Sequence, residues 1–115
     1  MTVSLRHKTK NMFNFLKSLF SSAPTVDISE VIARKPFLVD VRTPGEFAQG
    51  HPKGAVNIPL DRLASSLDKF KGKNEIVVFC RSGNRSSQAR SILLANGVNN
   101  VVDAGPWENV SQYTG

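Results

Sequence analysis

The chain has one cysteine, Cys80, and only two histidines, His7 and His51. A single thiol cannot close an internal disulfide, and with two imidazoles it is too small a donor set for a structural zinc site. No metal or cofactor is therefore expected, and Cys80 needs another explanation. A lone thiol suits a reducing compartment, because in an oxidising one it would pair between molecules. Also missing is an apolar run of about eighteen residues, the least that would span a bilayer. Acidic residues are absent from positions 1–23, which carry Arg6, Lys8, Lys10 and Lys17, or +4 of the net +6. The other 92 residues hold eleven Lys or Arg against nine Asp or Glu. That near balance, with aromatics at 8% of the chain, leaves no dense basic face with stacking rings, so no nucleic-acid partner is expected.

At 115 residues, 40% hydrophobic and 21% charged, the chain has the composition of one folded domain. Residues 1–23 stand apart as a basic extension in which the apolar residues of Met12 to Phe20 recur at three and four, an amphipathic helix signal. It reads as a floppy or loosely docked segment, and Met12 is an alternative start. Anchoring to a membrane surface or export is the rival reading, which Lys17 weakens by interrupting the apolar stretch. The domain is placed at 24–115 and the expected location is cytoplasmic.

From Pro24 onward short β-rich runs alternate with helical ones, the pattern of a parallel sheet covered by helices. Asp27 and Glu30 resemble a capping box for a helix from Ile28 to Arg34, which Pro36 stops. Phe37 to Val41 reads as a buried strand. Thr43-Pro44-Gly45-Glu46 offers a cap, a proline at the first helical position and an acid three residues on, so a short helix starts there. Val56-Asn57-Ile58 is a brief strand. Leu60, Leu63, Leu67 and Phe70 share one face of an expected helix from Leu60 to Phe70. Glu75 to Phe79 is the most apolar β-branched run and reads as the central strand. A helix from Ser86 to Asn96 stops at Gly97, and Asn100 to Val102 forms a last strand.

The informative arrangement is strand, then Cys80-Arg81-Ser82-Gly83-Asn84-Arg85, then helix from Ser86. A loop from a strand's carboxyl end to a helix's amino end turns several N–H groups into one bowl beside the positive end of the helix dipole. A cysteine at the rim of that bowl gains thiolate character, to which the charges of Arg81 and Arg85 would add. Gly83 lets the backbone curl inward, and Ser82 and Ser86 can donate further hydrogen bonds. Most cysteines at strand ends are inert packing. A polar, doubly basic hexapeptide is a poor core filler, however, and it favours a nucleophile.

With these residues in view, the chain from about Val26 to Trp107 resembles the single-domain rhodanese, or thiosulfate sulfurtransferase, family. Asp40-Val41-Arg42 with Glu46-Phe47 is similar to the family's first signature, and Gly50-His51 through Gly54 to Leu60 to its second. Cys80 to Ser86 resembles its active loop, and Gly105 with Trp107 its closing segment. The resemblance implies a three-layer α/β sandwich with a mainly parallel, five-stranded sheet and helices on both faces. It further implies that Cys80 takes the outer sulfur of a small anionic donor such as thiosulfate and holds it as a persulfide for a thiol, cyanide or protein acceptor. Backbone N–H groups from Arg81 to Arg85 would cradle that persulfide, and Arg81 and Arg85 would attract the donor.

Related phosphatases use a cysteine, five residues and an arginine, whereas here four residues separate Cys80 from Arg85. The tighter bowl suits one sulfur atom better than a phosphoryl group. Asp40 and Arg42 read as a mainly structural pair near the site, His51 as a hydrogen-bonding element, and Trp107 as packing or pocket wall. Pro52-Lys53 and Pro106 depart from the family pattern. The rival to an enzyme is a module that loads sulfur once, or senses redox state, and serves a partner.

Overall fold

A computed structural model describes residues 26–115, so the basic segment 1–23 lies outside the described residues. Helix α1 (Ile28–Ala33) opens on Asp27, whose carboxylate accepts the N–H groups of Ser29 at 3.1 Å and Glu30 at 3.4 Å. Strand β1 (Phe37–Asp40) is followed by α2 (Pro44–Gln49), which begins with the expected capping box. In it Thr43 Oγ1 accepts the Glu46 N–H at 3.2 Å while Glu46 Oε1 accepts the Thr43 N–H at 3.0 Å. Strand β2 (Val56–Asn57) is a two-residue edge.

The helix expected over Leu60 to Phe70 is instead two 3₁₀ helices, Leu60–Ser65 and Leu67–Phe70, joined at Ser66. The leucine spacing allows this form as well. Leu60 and Leu63, and again Leu67 and Phe70, stand three apart, so a three-residue turn stacks each pair on the core where a 3.6-residue turn would spread them. Leu63 and Phe70 are buried.

Strand β3 (Ile76–Cys80) is buried at every position, which is why its sequence runs apolar without alternation. Helix α3 (Asn84–Ala95) starts two residues earlier than expected, so Asn84 and Arg85 belong to its first turn. Its end is a Schellman motif, with Gly97 at φ +83° and bonds from Gly97 N–H to Leu94 O and Val98 N–H to Leu93 O. Strand β4 (Val101–Pro106) runs on to Pro106, and α4 (Glu108–Ser111) follows it.

The four strands are all parallel in the order β2-β1-β3-β4. Among the described residues that is one fewer than the family resemblance implies, because the extended apolar runs between residues 26 and 115 number four. Side chains alternate between two apolar clusters. Val39, Ile76, Val78, Ala89 and Leu93 share the first with Leu63 and Phe70, and Leu38, Val77 and Phe79 share the second with Val31 and Val110. A bulge in β4, where Phe79 pairs with Gly105 and Ala104 is extra, brings Trp107 across the end of β3. The Asp103 carboxylate closes it by accepting the Gly105 N–H at 2.9 Å. Among the described residues no helix is long and apolar enough to cross a membrane.

Leu93 has no exposed area and joins α3 to the first cluster. Leu93→Ala is expected to cost about 2–5 kcal/mol of stability, read as a lower urea midpoint at unchanged slope.

Candidate functional site

Cys80 is the last residue of β3, and its neighbours converge because a parallel sheet sends every strand's carboxyl end to the same edge. The backbone turns sharply after it. Gly83 sits at φ +104°, a conformation that a side chain resists, and so brings its own N–H back over the thiol. A Cβ there would meet Gly105 Cα at 3.6 Å, an ordinary contact, so the demand for glycine comes from the backbone angle.

The sulfur is held by hydrogen bonds. Gly83 N–H donates to Cys80 Sγ at 3.0 Å and Ser86 N–H at 3.4 Å, while the thiol donates to the Ser86 hydroxyl at 3.6 Å, whose own proton goes to Gly83 O at 3.1 Å. Burial pushes the thiol pKa up and is the largest single influence. The hydrogen bond shared with the Ser86 hydroxyl and those from the N–H groups of Ser86, Gly83 and Ser82 together outweigh it and bring the pKa below its ordinary value. Donor geometry, more than the charge of the flanking arginines, therefore favours the thiolate. Cys80 has no exposed area, so it lies at the floor of the bowl and not at its rim.

The two loop arginines diverge. Arg85 donates from Nη1 to Glu46 Oε1 at 2.7 Å and from Nη2 to Oε2 at 3.0 Å, so its charge is already matched. The same guanidinium, followed by the Thr43 N–H, lowers the Glu46 carboxyl from 4.5 to about 2. Arg81 is exposed and forms no ion pair among the described residues. It lines a cleft of about 310 Å³ with Gln49, Trp107 and Glu108. A larger cleft of about 860 Å³, near Phe37, Asn74 and Val101, lies at the strands' amino ends, far from the thiol, and size alone does not locate the chemistry. Ser82 and Asn84 are exposed, whereas Ser86 is buried.

Asp40 and Arg42 form a buried pair at the end of β1, with Nη2 to Oδ2 at 2.6 Å and Nε to Oδ1 at 2.9 Å. Arg42 also donates to Gly50 O at 2.6 Å and lies over the Trp107 ring at 4.8 Å. Trp107 in turn donates its backbone N–H to Cys80 O at 2.7 Å. His51 is bonded through Nδ1 to Phe47 O at 2.7 Å and stacked on the Phe47 ring at 3.6 Å. The sequence marked Glu46 as a helix cap, and nothing local in it points to Arg85, 39 positions later.

Comparison with known proteins follows the same outline. The family profile described as "Rhodanese-like domain" matches residues 26–110. Thiosulfate sulfurtransferase PspE of Escherichia coli is 37% identical over 78 residues, 64% of this chain and 72% of that one. Senescence-associated protein DIN1 of Raphanus sativus is 40% identical over 60% of this chain, which spans about half of its length, 46%. Among solved structures, the human single-domain sulfurtransferase TSTD1 superposes with a TM-score of 0.64 at 28% identity, covering 79% of this chain and 97% of that one.

Ser86→Ala removes the hydroxyl partner of the sulfur and should raise the Cys80 pKa, seen as an alkylation rate whose pH midpoint moves up. The Arg85–Glu46 tie should contribute stability in full above pH 4.5, the ordinary value of the carboxyl, and lose it as pH falls toward about 2. In an acid series of urea midpoints, Glu46→Gln should flatten that part of the curve.

Proposed function

The chain belongs to the rhodanese-like domain family, and from that premise we propose that it is a sulfurtransferase working through a persulfide on Cys80. The observation that carries this reading is the convergence of Gly83 N–H, Ser86 N–H and the Ser86 hydroxyl on one buried sulfur. Such a cradle stabilises a sulfur anion before and after it takes up a second sulfur.

With thiosulfate as donor, the Cys80 thiolate attacks the outer sulfur, a new S–S bond forms, and the old one breaks with its electron pair leaving on sulfite. An acceptor nucleophile then takes the outer sulfur and returns the thiolate. Cyanide would leave as thiocyanate, and a cellular thiol or a protein thiol would leave as a persulfide. Arg81, exposed beside the cleft, is the cation that meets the arriving anion, while Ser82 and Asn84 are exposed on the same loop. Asp40 and Arg42 hold the end of β1 and Trp107 against the loop. The two apolar clusters are read as the two covered faces of a three-layer sandwich, and the cytoplasm as its place of work.

One observation favours a second reading. Cys80 has no exposed area, and slow loading of so covered a sulfur would suit a relay that charges once for a partner protein.

Intact mass before and after thiosulfate, then after cyanide, tests both. A gain of one sulfur that cyanide removes, with thiocyanate accumulating over many cycles and none from Cys80→Ser, is the outcome expected of the enzyme. One equivalent of thiocyanate without recycling would identify the relay, and absence of any sulfur gain would overturn both readings.

A further inference from the structure

Four charged side chains, Arg42, Glu46, Arg81 and Glu108, line the cleft beside the bowl, and two more, Asp40 and Arg85, are paired with members of that group. Their formal charges sum to zero. Two pairs account for four of them, Asp40 with Arg42 and Glu46 with Arg85, and the second pair is the one that borders the sulfur cradle. Arg85 directly precedes Ser86, whose N–H and hydroxyl both face Cys80 Sγ.

We propose that Glu46 is a positioning and specificity-determining residue of the sulfur site, setting both the seat of the α3 amino terminus and the charge that an anion meets on approach. Its two carboxylate oxygens take both terminal nitrogens of Arg85, and the planar fork leaves the guanidinium one orientation. Oε1 is at the same time fixed by the Thr43 N–H at 3.0 Å, so the clamp is anchored to the start of α2 and ties that helix to α3. The cation nearest the cradle is thereby cancelled. Arg81 is left to recognise a negatively charged donor by itself, opposed across the cleft by Glu108. Arg85 still senses the sulfur: its pKa is raised first by the hydrogen bond to Glu46, and further by attraction to Cys80 and Asp40.

This inference rests on Cys80 being the reactive thiol, and its test does not require sulfur transfer to succeed. Iodoacetate and iodoacetamide alkylate a thiolate by the same step, in which the C–S bond forms and iodide leaves with the electron pair, but only the first carries a charge. In Glu46→Gln the amide keeps the shape and one acceptor while the charge of Arg85 loses its counter-charge. The ratio of the iodoacetate rate to the iodoacetamide rate at Cys80 should rise about threefold to tenfold at low salt and return toward the wild-type ratio at high salt. A merely structural disturbance would move both rates together. The KM for thiosulfate should fall by a similar factor.

Should Glu46→Gln lose its fold by circular dichroism, Arg85→Gln carries the test in the opposite sense, because the uncompensated Glu46 carboxylate should lower the ratio. An unchanged rate ratio in a folded variant would overturn the proposal. If wild-type protein alkylates at Cys80 but forms no thiocyanate, sulfur transfer is refuted while the rate ratio still decides the role of Glu46.

Discussion

A sulfur anion without exposed surface is sustainable only where the protein replaces the water it has lost, and the architecture of this chain is arranged around that replacement. Burial works against the Cys80 thiolate, and three N–H groups and a hydroxyl work for it. The balance depends on Gly83 taking a left-handed backbone angle so that its own N–H and that of Ser86 face the same atom. With α3 starting at Asn84, Ser86 is the third residue of its first turn, where its N–H has no intrahelical partner and is free to face the sulfur.

The ties that hold this cradle come from distant parts of the chain. Trp107 reaches it through its backbone N–H to Cys80 O, Arg42 supports the Trp107 ring, and Asp40 holds Arg42. On the other side Glu46 holds Arg85. The bulge at Ala104 serves the same end, shifting β4 so that Trp107 follows directly past the end of β3. Breaking the buried Asp40–Arg42 pair from one side would leave an unmatched charge in the interior, which is why the pair belongs to the scaffold more than to the chemistry.

Much of this was legible in the residues. The strand ending at Cys80, the glycine in the turn, the capping box at Thr43 and the stop at Gly97 follow from local chemistry acting over a few positions, and the structure contains all of them. The motifs around Asp40, Gly50, Cys80 and Trp107 identified the family before any coordinate did. Less local features were misjudged or unseen. The Leu60 to Phe70 segment has a spacing that suits either helix type, and the core beneath it chose the 3₁₀ form. The bulge and α4 gave no strong periodic signal, and strand β4 was accordingly read too short.

Sequence by itself therefore determined where the one thiol stands and which backbone must bend around it, because a thiol, a glycine and a helix start within six residues act on one another directly. Tertiary structure alone decided how the charges are spent. Arg81 and Arg85 look equivalent in the chain, yet one stands exposed beside a cleft and the other is locked to Glu46. Charge at a site is a sum over neighbours in space, and those neighbours are set by how the parallel strands bring their carboxyl ends together, which no local pattern encodes.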